Sequence, residues 1–428
     1  MYNMENISSF LYYGYLPKWN MDFESNIFPN NDLKEIRKTI QANNECKDES
    51  ILIDKGIKAL KASFTDANGK GKNIVPLSGG LDSRTILAGL IDAGLKDSII
   101  TVTFGTPGTW DYELGSSLAQ ELGLCHETID LTKIRIEEKH LLETARNSSA
   151  WTFLIDGYFN SLICKRYGKD ATYWSGFMGD NIAGSHLPAS ESLNWSKAKC
   201  TFLGWNRFVR STSLFPPGFN PEKSLPPSPL IDGMIISYDD ALDFFIRQQN
   251  CIKPTLITNG YRYKTPFISF EWVKFILTIP RYYRENNYIY NKIIMKAYPE
   301  IISFPAKNAY GGRIGISKTV FRSRHILSTI RNKVAFLNDS KMKLLDVVWD
   351  HLKIYQAINY IDFDFAIRNR PGFKSLVFKN INDLKHRKIL NWLDLDHIWL
   401  NHQNKNANHG KALMLLTALE INLKTSHF

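Results

Sequence analysis

Apolar and polar positions in the first half of the chain follow two alternating patterns, one typical of strands and one typical of helices. Short apolar runs predict buried strands at 74–77 and 98–104, and 125–129 and 171–174 are predicted as a third and a fourth strand. Between these runs, leucine and isoleucine recur at the spacing of a helix face, within 86–91 and 111–122. Strands and helices that alternate at this spacing are typical of an α/β fold, so we expect a doubly wound parallel sheet.

The pattern changes after the fourth predicted strand. Six prolines between 216 and 229 interrupt any regular element, so 191–235 is predicted to be an irregular connector. From 236 to 428 the apolar spacing is mostly helical, with its most apolar piece near 267–279. We therefore expect an N-terminal segment (1–48) and one domain (49–428), whose α/β core is 49–190.

The composition of the 428-residue chain is that of a globular protein, with 44% hydrophobic and 22% charged residues. No apolar run approaches the ~20 residues that span a bilayer, and the N-terminus lacks the basic and apolar regions of a secretory signal. The five cysteines are scattered without a C-x-x-C pair, which argues against a zinc site or a disulfide framework. We expect a cytoplasmic protein without a membrane span.

The net charge of +11 permits binding of anions such as ATP, acidic metabolites or nucleic acid. The basic residues are spread along the chain, and the small basic group at 385–388 is predicted to be a solvated face. Nucleic acid is therefore not the expected partner.

The segment from Ser78 to Ser83, Ser-Gly-Gly-Leu-Asp-Ser, lies between the first predicted strand and the first predicted helix. A glycine turn at a helix start presents free backbone N–H groups and lets them approach a phosphate closely. The two serine hydroxyls add donors, and Asp82 is placed to hold Mg²⁺. Neither G-x-x-x-x-G-K-[ST] nor G-x-G-x-x-G occurs here. The segment predicts a phosphate or pyrophosphate site of another type.

This S-G-G-x-D-S segment resembles the PP-loop of the N-type ATP pyrophosphatases, which cleave ATP between the α and β phosphates. Two further regions are similar to the asparagine synthetases and their relatives, which include the β-lactam synthetases. One is 175–184 (SGFMGDNIAG), and the other combines 265–269 (TPFIS) with 304–312 (FPAKNAYGG). The resemblance covers roughly 50–428 in the family's order, and it implies a PP-loop fold that binds ATP and Mg²⁺.

Carried over position by position, the resemblance implies roles for individual residues. The residues implied to bind ATP are Ser78, Gly79, Gly80, Leu81, Asp82, Ser83, Val102, Phe104, Ser175 and Gly176. Asp82 and Asp180 would share the magnesium ion, since carboxylate oxygens suit that metal. Lys307 and Asp180 would be catalytic, with the Lys307 ammonium stabilising the negative charge that develops during adenylation.

Each of these roles has a purely structural alternative. Asp180 could cap a helix that begins at Asn181, and Lys307 could be an ordinary solvated lysine. Asp111 and Glu113 are interpreted as carboxylates at a helix start, where they favour the helix dipole.

The chain also departs from the family pattern. Glutamine-dependent asparagine synthetases carry a cysteine as residue 2 that heads a glutaminase domain. Here Tyr2 stands at that position and the PP-loop begins at Ser78, so we expect no glutaminase domain and interpret 1–48 as its remnant or linker. Ammonia, an amine or a separate glutaminase chain would then supply nitrogen.

Three further departures lie on the acceptor side. Phe177 and Asn181 replace family positions that carry Glu (or Tyr, at the first), and Ser269 replaces an Asp. Phenylalanine cannot accept a proton, so the base that deprotonates an amine would be His186, Glu113 or water. We expect retained ATP chemistry with a changed acceptor.

The leading hypothesis is an AMP-forming carbon–nitrogen ligase. It would adenylate a small-molecule, peptide or sugar carboxylate on Mg-ATP, release pyrophosphate and transfer the acyl group to ammonia or an amine. Two alternatives stay open, a PP-loop tRNA-modifying enzyme and a nucleotide-binding protein that has lost catalysis. The first lacks the usual cysteine pair, and the second is favoured by Phe177 and Asn181.

Overall fold

The computed structural model describes residues 3–19, 38–40, 48–65, 67, 71–148, 150–231, 233, 235–337 and 348–425, without the side chains of 334–337. Its strands are β1 (Asn73–Pro76), β2 (Ile99–Gly105), β3 (Cys125–Asp130), β4 (Thr172–Trp174) and β5 (Arg262–Lys264). The helices of the first half are α1 (Met4–Tyr13), α2 (Glu49–Ala62), α3 (Leu81–Asp92), α4 (Trp110–Glu121), α5 (Glu138–Asn147), α6 (Ile155–Tyr167), α7 (Gly179–Ile182) and α8 (Trp195–Asn206).

The second half is mostly helical, as expected. Its helices are α9 (Tyr238–Leu242), α10 (Lys253–Leu256), α11 (Phe270–Thr278), α12 (Arg281–Arg284), α13 (Tyr288–Ala297), α14 (Pro299–Ile302), α15 (Lys318–Leu337), α16 (Phe363–Asn369), α17 (Pro371–Arg387), α18 (Leu395–Gln403) and α19 (Gly410–Thr425). A π-helix, Asp243–Ile252, joins α9 to α10. In the described part of the chain, no helix combines the length and apolarity needed to cross a bilayer.

The five strands form one sheet in the order β3-β2-β1-β4-β5, and every pairing is parallel. Ile74 of β1 lies opposite Ile100 of β2 on one side and Tyr173 of β4 on the other. The strand order therefore reverses between β1 and β4. Loops that leave the carboxyl ends of these two strands diverge there, which opens a crevice suited to a ligand.

Helices cover both faces of the sheet because successive strand side chains point to opposite sides. Ile74, Val102 and Tyr173 pack on one face with Ile163 of α6. Val75, Ile99 and Trp174 pack on the other face, in the core that contains α2, α3 and α11. The predicted α/β fold with a parallel sheet is confirmed, and all four predicted strands are present.

Two sequence-based assignments were wrong. The predicted strands did not include β5, whose Arg-Tyr-Lys sequence has no apolar run; it lies at the sheet edge, paired only with β4 in the described residues. The predicted irregular connector 191–235 contains a 12-residue helix, α8, whose start is capped by the Asn194 side chain accepting from the Lys197 N–H at 2.9 Å. The prolines all follow this helix.

A second core lies beyond the sheet and is built around α19, whose residues are nearly all buried. Ile7, Phe10 and Leu11 of α1 enter this core, while Tyr12 and Tyr13 join the core beside the sheet. The described part of the N-terminal segment therefore packs between both cores. Most of 1–48 lies outside the described residues.

Candidate functional site

The Ser78–Ser83 loop leaves β1 and leads directly into α3. Its serine hydroxyls fold the loop back on itself, because the Ser78 N–H donates to Ser83 Oγ at 3.1 Å and the Gly80 N–H donates to Ser78 Oγ at 3.2 Å. Gly80 is the N-cap of α3, and no side-chain hydrogen bond caps this helix start. Its first-turn N–H groups thus have no partner within the helix and can donate to an anion.

Gly79 is required by a close approach between this loop and α4. A Cβ atom at this position would lie 2.8 Å from the carbonyl oxygen of Trp110. The Gly79 N–H donates to Asp111 Oδ1 at 3.2 Å, and its carbonyl accepts the backbone N–H of Lys307 at 2.9 Å. One glycine therefore joins the loop to α4 and to the segment that carries Lys307.

Asp82 and Asp180 come together at the switch point between β1 and β4. The backbone N–H of Asp180 donates to Asp82 Oδ2 at 3.0 Å, and the hydroxyl of Tyr290 donates to Asp82 Oδ1 at 3.0 Å. The Asp82 residue keeps some surface toward the cavity, but its carboxyl is enclosed by protein. Burial, followed by the nearby Asp180 charge, raises the pKa of Asp82 to about 8. The negative charges of Asp82 and Asp180 are therefore not fully offset by the protein groups around them.

The short helix α7 approaches Asp82 closely because its first residue is glycine. A Cβ atom at Gly179 would lie 2.3 Å from Cγ of Asp82. Met178, just before the helix, has a left-handed backbone with φ of 69°, which turns the chain into α7. The predicted capping role of Asp180 toward Asn181 is wrong in detail, because Asp180 lies inside α7 and Met178 is the N-cap.

Lys307 forms an ion pair with Asp111, with Nζ 2.6 Å from Oδ2. The two side chains are 36% and 28% exposed, so Lys307 is not the fully solvated lysine of the structural alternative. Asp111 does lie in the first turn of α4, as the sequence suggested. It also bonds the Gly79 N–H of the Ser78–Ser83 loop and Lys307, which the sequence did not predict.

Arg84 also connects the Ser78–Ser83 loop to the segment that leads to Lys307. Its side chain is fully buried, and its guanidinium donates to the carbonyls of Gly79 at 3.3 Å, Phe304 at 3.1 Å and Pro305 at 2.5 Å. Burial lowers the pKa of Arg84 to about 10, so the group stays charged at neutral pH. A single cation thus holds the loop after β1 against the chain that leads to Lys307.

These residues border a cavity of about 560 Å³. The sequence-predicted residues that line it are Ser78, Gly80, Leu81, Asp82, Ser83, Phe104, Ser175, Gly176, Asp180 and Lys307. Gly79 acts through its backbone bonds and is outside the lining. Val102 does not line the cavity, because its side chain is fully buried and packs with Ile163 of α6 on one face of the sheet. Phe104 is at the cavity and stacks on Tyr360, with ring centroids 5.5 Å apart.

The residues proposed for the acceptor side are elsewhere. Phe177 is buried in the core, and its backbone N–H donates to Ser175 Oγ at 3.2 Å. His186 bonds Asp243, with Nδ1 3.2 Å from Oδ2, and Glu113 accepts the Gly108 N–H at 2.7 Å. None of these side chains lines the main cavity. Of the three candidate bases, water is the one that can enter it.

Several site residues had no sequence signal. Tyr290 meets Asp82, Arg84 meets Phe304 and Pro305, and Tyr360 meets Phe104 only through the tertiary fold, and no local motif marks these residues. Among the described residues, no group of three or more His, Cys, Asp or Glu side chains could hold a metal. Asp82 and Asp180 alone could therefore supply only part of a coordination shell, the rest coming from ligand oxygens and water.

The chain was compared with models of known protein families and with curated proteins. No family model and no curated protein matches it. The geometry of the site must therefore carry the functional argument. Free helix-start N–H groups, two hydroxyls, one ammonium and a carboxylate pair suit a polyphosphate bound together with a divalent cation.

Proposed function

We propose that this protein is an ATP-dependent carbon–nitrogen ligase that adenylates a carboxylate and passes the acyl group to ammonia or an amine. The observation that carries the proposal is the convergence of the Ser78–Ser83 loop, the Asp82–Asp180 pair and Lys307 on one cavity at the sheet's switch point. The resemblance to the asparagine synthetases supports this reading of the residues.

The carboxylate pair fits a magnesium ion. Asp82 is enclosed next to a second carboxylate and its pKa is raised to about 8, so a divalent cation would offset a repulsion that the described protein groups leave in place. Asp82 and Asp180 would hold the ion. When bound, Mg²⁺ would neutralise phosphate charge and help to orient the leaving pyrophosphate.

The chain's own groups would act on the negative charge of the reaction. A substrate carboxylate oxygen attacks the α-phosphorus, the bond to the β-phosphate breaks, and pyrophosphate leaves with that electron pair. The loop N–H groups would hold the phosphate oxygens, and Lys307 would stabilise the added charge. Because Lys307 is paired with Asp111 at 2.6 Å, its ammonium is held at the cavity before any ligand arrives.

In the second half of the reaction, the nitrogen attacks the acyl carbon and AMP leaves. The nitrogen must lose a proton, and neither His186 nor Glu113 lines the cavity. We therefore assign this proton to water. The nitrogen source is ammonia, an amine substrate or a separate glutaminase chain.

The test is ATP–pyrophosphate exchange with pooled carboxylic acids. Wild type is compared with Asp82→Ala and with Asp97→Ala, which removes an exposed carboxylate remote from the cavity. We expect exchange that depends on a particular acid, persists in Asp97→Ala and is lost in Asp82→Ala. Full exchange in Asp82→Ala would refute the site assignment.

The competing proposal is a protein that has lost catalysis. It is favoured by Phe177, which is buried in the core and offers no proton acceptor. Calorimetry separates the two readings. Magnesium-dependent ATP binding, with no exchange for any acid and no AMP formed with any amine, would identify a nucleotide-binding protein without turnover.

A further inference from the structure

A second cavity, of about 340 Å³, lies on the other side of α6 and α10 from the 560 Å³ cavity that Asp82 and Lys307 line, which is called the catalytic cavity below. Gly157, Ser161 and Lys165 face it from α6 at four-residue spacing, whereas Asn160 and Ile163 of the same helix face the catalytic cavity. The two cavities thus share a helical wall but have different linings. No role in the proposed reaction involves the second one.

The lining of this second cavity has an excess of positive charge. The lining contains one carboxylate, that of Glu143, and three lysines, which are Lys18, Lys165 and Lys253. Glu143 is already paired, with its Oε2 2.7 Å from Nζ of Lys165. Lys18 and Lys253 remain without a paired carboxylate in the part of the chain that the structure describes.

Of the two lysines without a paired carboxylate, Lys253 is the more buried. Its side chain is about half buried, and burial lowers the pKa of its ammonium. Placing a cation in such surroundings without a counter-ion costs free energy that an exposed lysine would not incur. A cavity wall that retains such a cation is suited to receive the missing negative charge from a ligand.

Most neutral polar groups of the wall are engaged within the protein. Asn259 Nδ2 donates to the Asn147 carbonyl at 2.7 Å, and Ser161 Oγ donates to the Tyr158 carbonyl at 2.7 Å. The lysine ammonium groups are therefore the main free donors. Pro254 and Ile257 add apolar surface beside them.

We propose that this cavity binds a small organic oxyanion, a carboxylate or a phosphate ester, through Lys253 with Lys18 at the rim. The two uncompensated ammonium groups set the ligand charge at one to two negative units. The apolar wall would contact the organic part of the ligand. This proposal does not depend on the ligase activity.

The test is lysine acetylation followed by site-resolved mass spectrometry, with inorganic phosphate or succinate as the probe and sodium chloride at matched ionic strength as the reference. Lys253 labelling is expected to fall about tenfold once a probe reaches about ten times its dissociation constant, because only the free fraction reacts. The exposed Lys96 should keep its labelling rate. Protection by phosphate or by succinate distinguishes the two oxyanion classes.

Calorimetry with the same probes supplies the second readout. Lys253→Gln removes an unpaired cation, so the variant should fold and lose the heat of binding that belongs to this cavity, with any heat from phosphate at the Ser78–Ser83 loop unchanged. Lys197→Gln, which removes an exposed lysine on α8, should bind both probes as wild type does. Phosphate bound at the Ser78–Ser83 loop would not protect Lys253. Unchanged Lys253 labelling with both probes would overturn the proposal, whatever the outcome of the exchange assay.

Discussion

Replacement of Arg84 by methionine tests whether the Ser78–Ser83 loop and the Lys307 segment are held together by this one side chain. The variant keeps most of the apolar bulk of the side chain but removes the donors to three carbonyls, those of Gly79, Phe304 and Pro305. The Gly79 carbonyl is buried and those of Phe304 and Pro305 are partly buried, so a lost partner is only partly replaced by water.

The size of the effect follows from opposing contributions. An unpaired buried acceptor costs about 1–3 kcal/mol. Two carbonyls, those of Phe304 and Pro305, lose their donor, while the Gly79 carbonyl keeps the Lys307 N–H. Removal of the buried cation itself returns part of that cost. We expect the free energy of unfolding to fall by about 1–3 kcal/mol, since the two losses exceed the single gain.

Catalysis should suffer beyond this loss of stability. Lys307 is positioned by its backbone bond to Gly79 at 2.9 Å, and Arg84 fixes the two residues' segments relative to each other. A displacement of about 1 Å in a positioned group can cost about 10²-fold in rate. We therefore expect the exchange rate at saturating ATP to fall by about that factor in the folded variant.

Urea unfolding and ATP–pyrophosphate exchange, measured below the unfolding transition, provide the two readouts. Arg146→Met, which removes an exposed arginine, should leave both unchanged. Arg84→Lys should give intermediate values, because one ammonium cannot reproduce the planar fork that reaches several carbonyls. Wild-type stability together with wild-type exchange in Arg84→Met would refute the positioning role.

Three other perturbations test the site. Asp82→Asn should make the metal-free protein more stable than wild type at pH 9. Burial and Asp180 raise the Asp82 pKa from 3.8 to about 8, so wild type loses stability as the pH rises from about 4 through 8. Urea unfolding should show that the free energies of unfolding of the two proteins converge near pH 4. Gly179→Ala should displace the Asp82 carboxyl, whose Cγ would lie 2.3 Å from the new methyl group. The free energy of unfolding should fall by about 1–3 kcal/mol, and the exchange rate should fall as well. Unchanged values of both would contradict the close packing. Lys307→Gln should retain ATP binding by calorimetry but lose exchange by about 10²-fold or more, as expected for loss of a transition-state contact; equal losses in binding and exchange would instead indicate a binding role.

The local part of this protein could be predicted from the sequence. The phosphate loop depends on the order strand, glycine turn, helix start, all within about ten residues, and the structure has the same order from β1 to α3. Apolar runs also identified β1, β2 and β4, because a strand buried on both faces leaves a continuous apolar run, whereas the predicted β3 is a partly exposed edge strand. β5 escaped this test since an edge strand can be polar.

Position along the strand was the first limit of sequence reasoning. Val102 and Phe104 lie on the same strand, yet Val102 is buried under the sheet while Phe104 reaches the cavity near the strand's end. A motif position does not show how far along the strand the ligand crevice extends. That depends on where the sheet's switch point lies and on which loops rise above it.

Contacts between distant segments were the second limit. Tyr290 bonds a carboxylate 208 residues earlier, and Arg84 bonds a carbonyl 221 residues later. Asp111 was recognised as a helix-start carboxylate, but its pairing with Lys307 required the two segments to meet at Gly79. The amino-acid sequence determined the local elements because their hydrogen bonds and apolar periodicity are short-range. Only the tertiary structure decided which charges share a cavity, because burial and electrostatic pairing depend on distance in space.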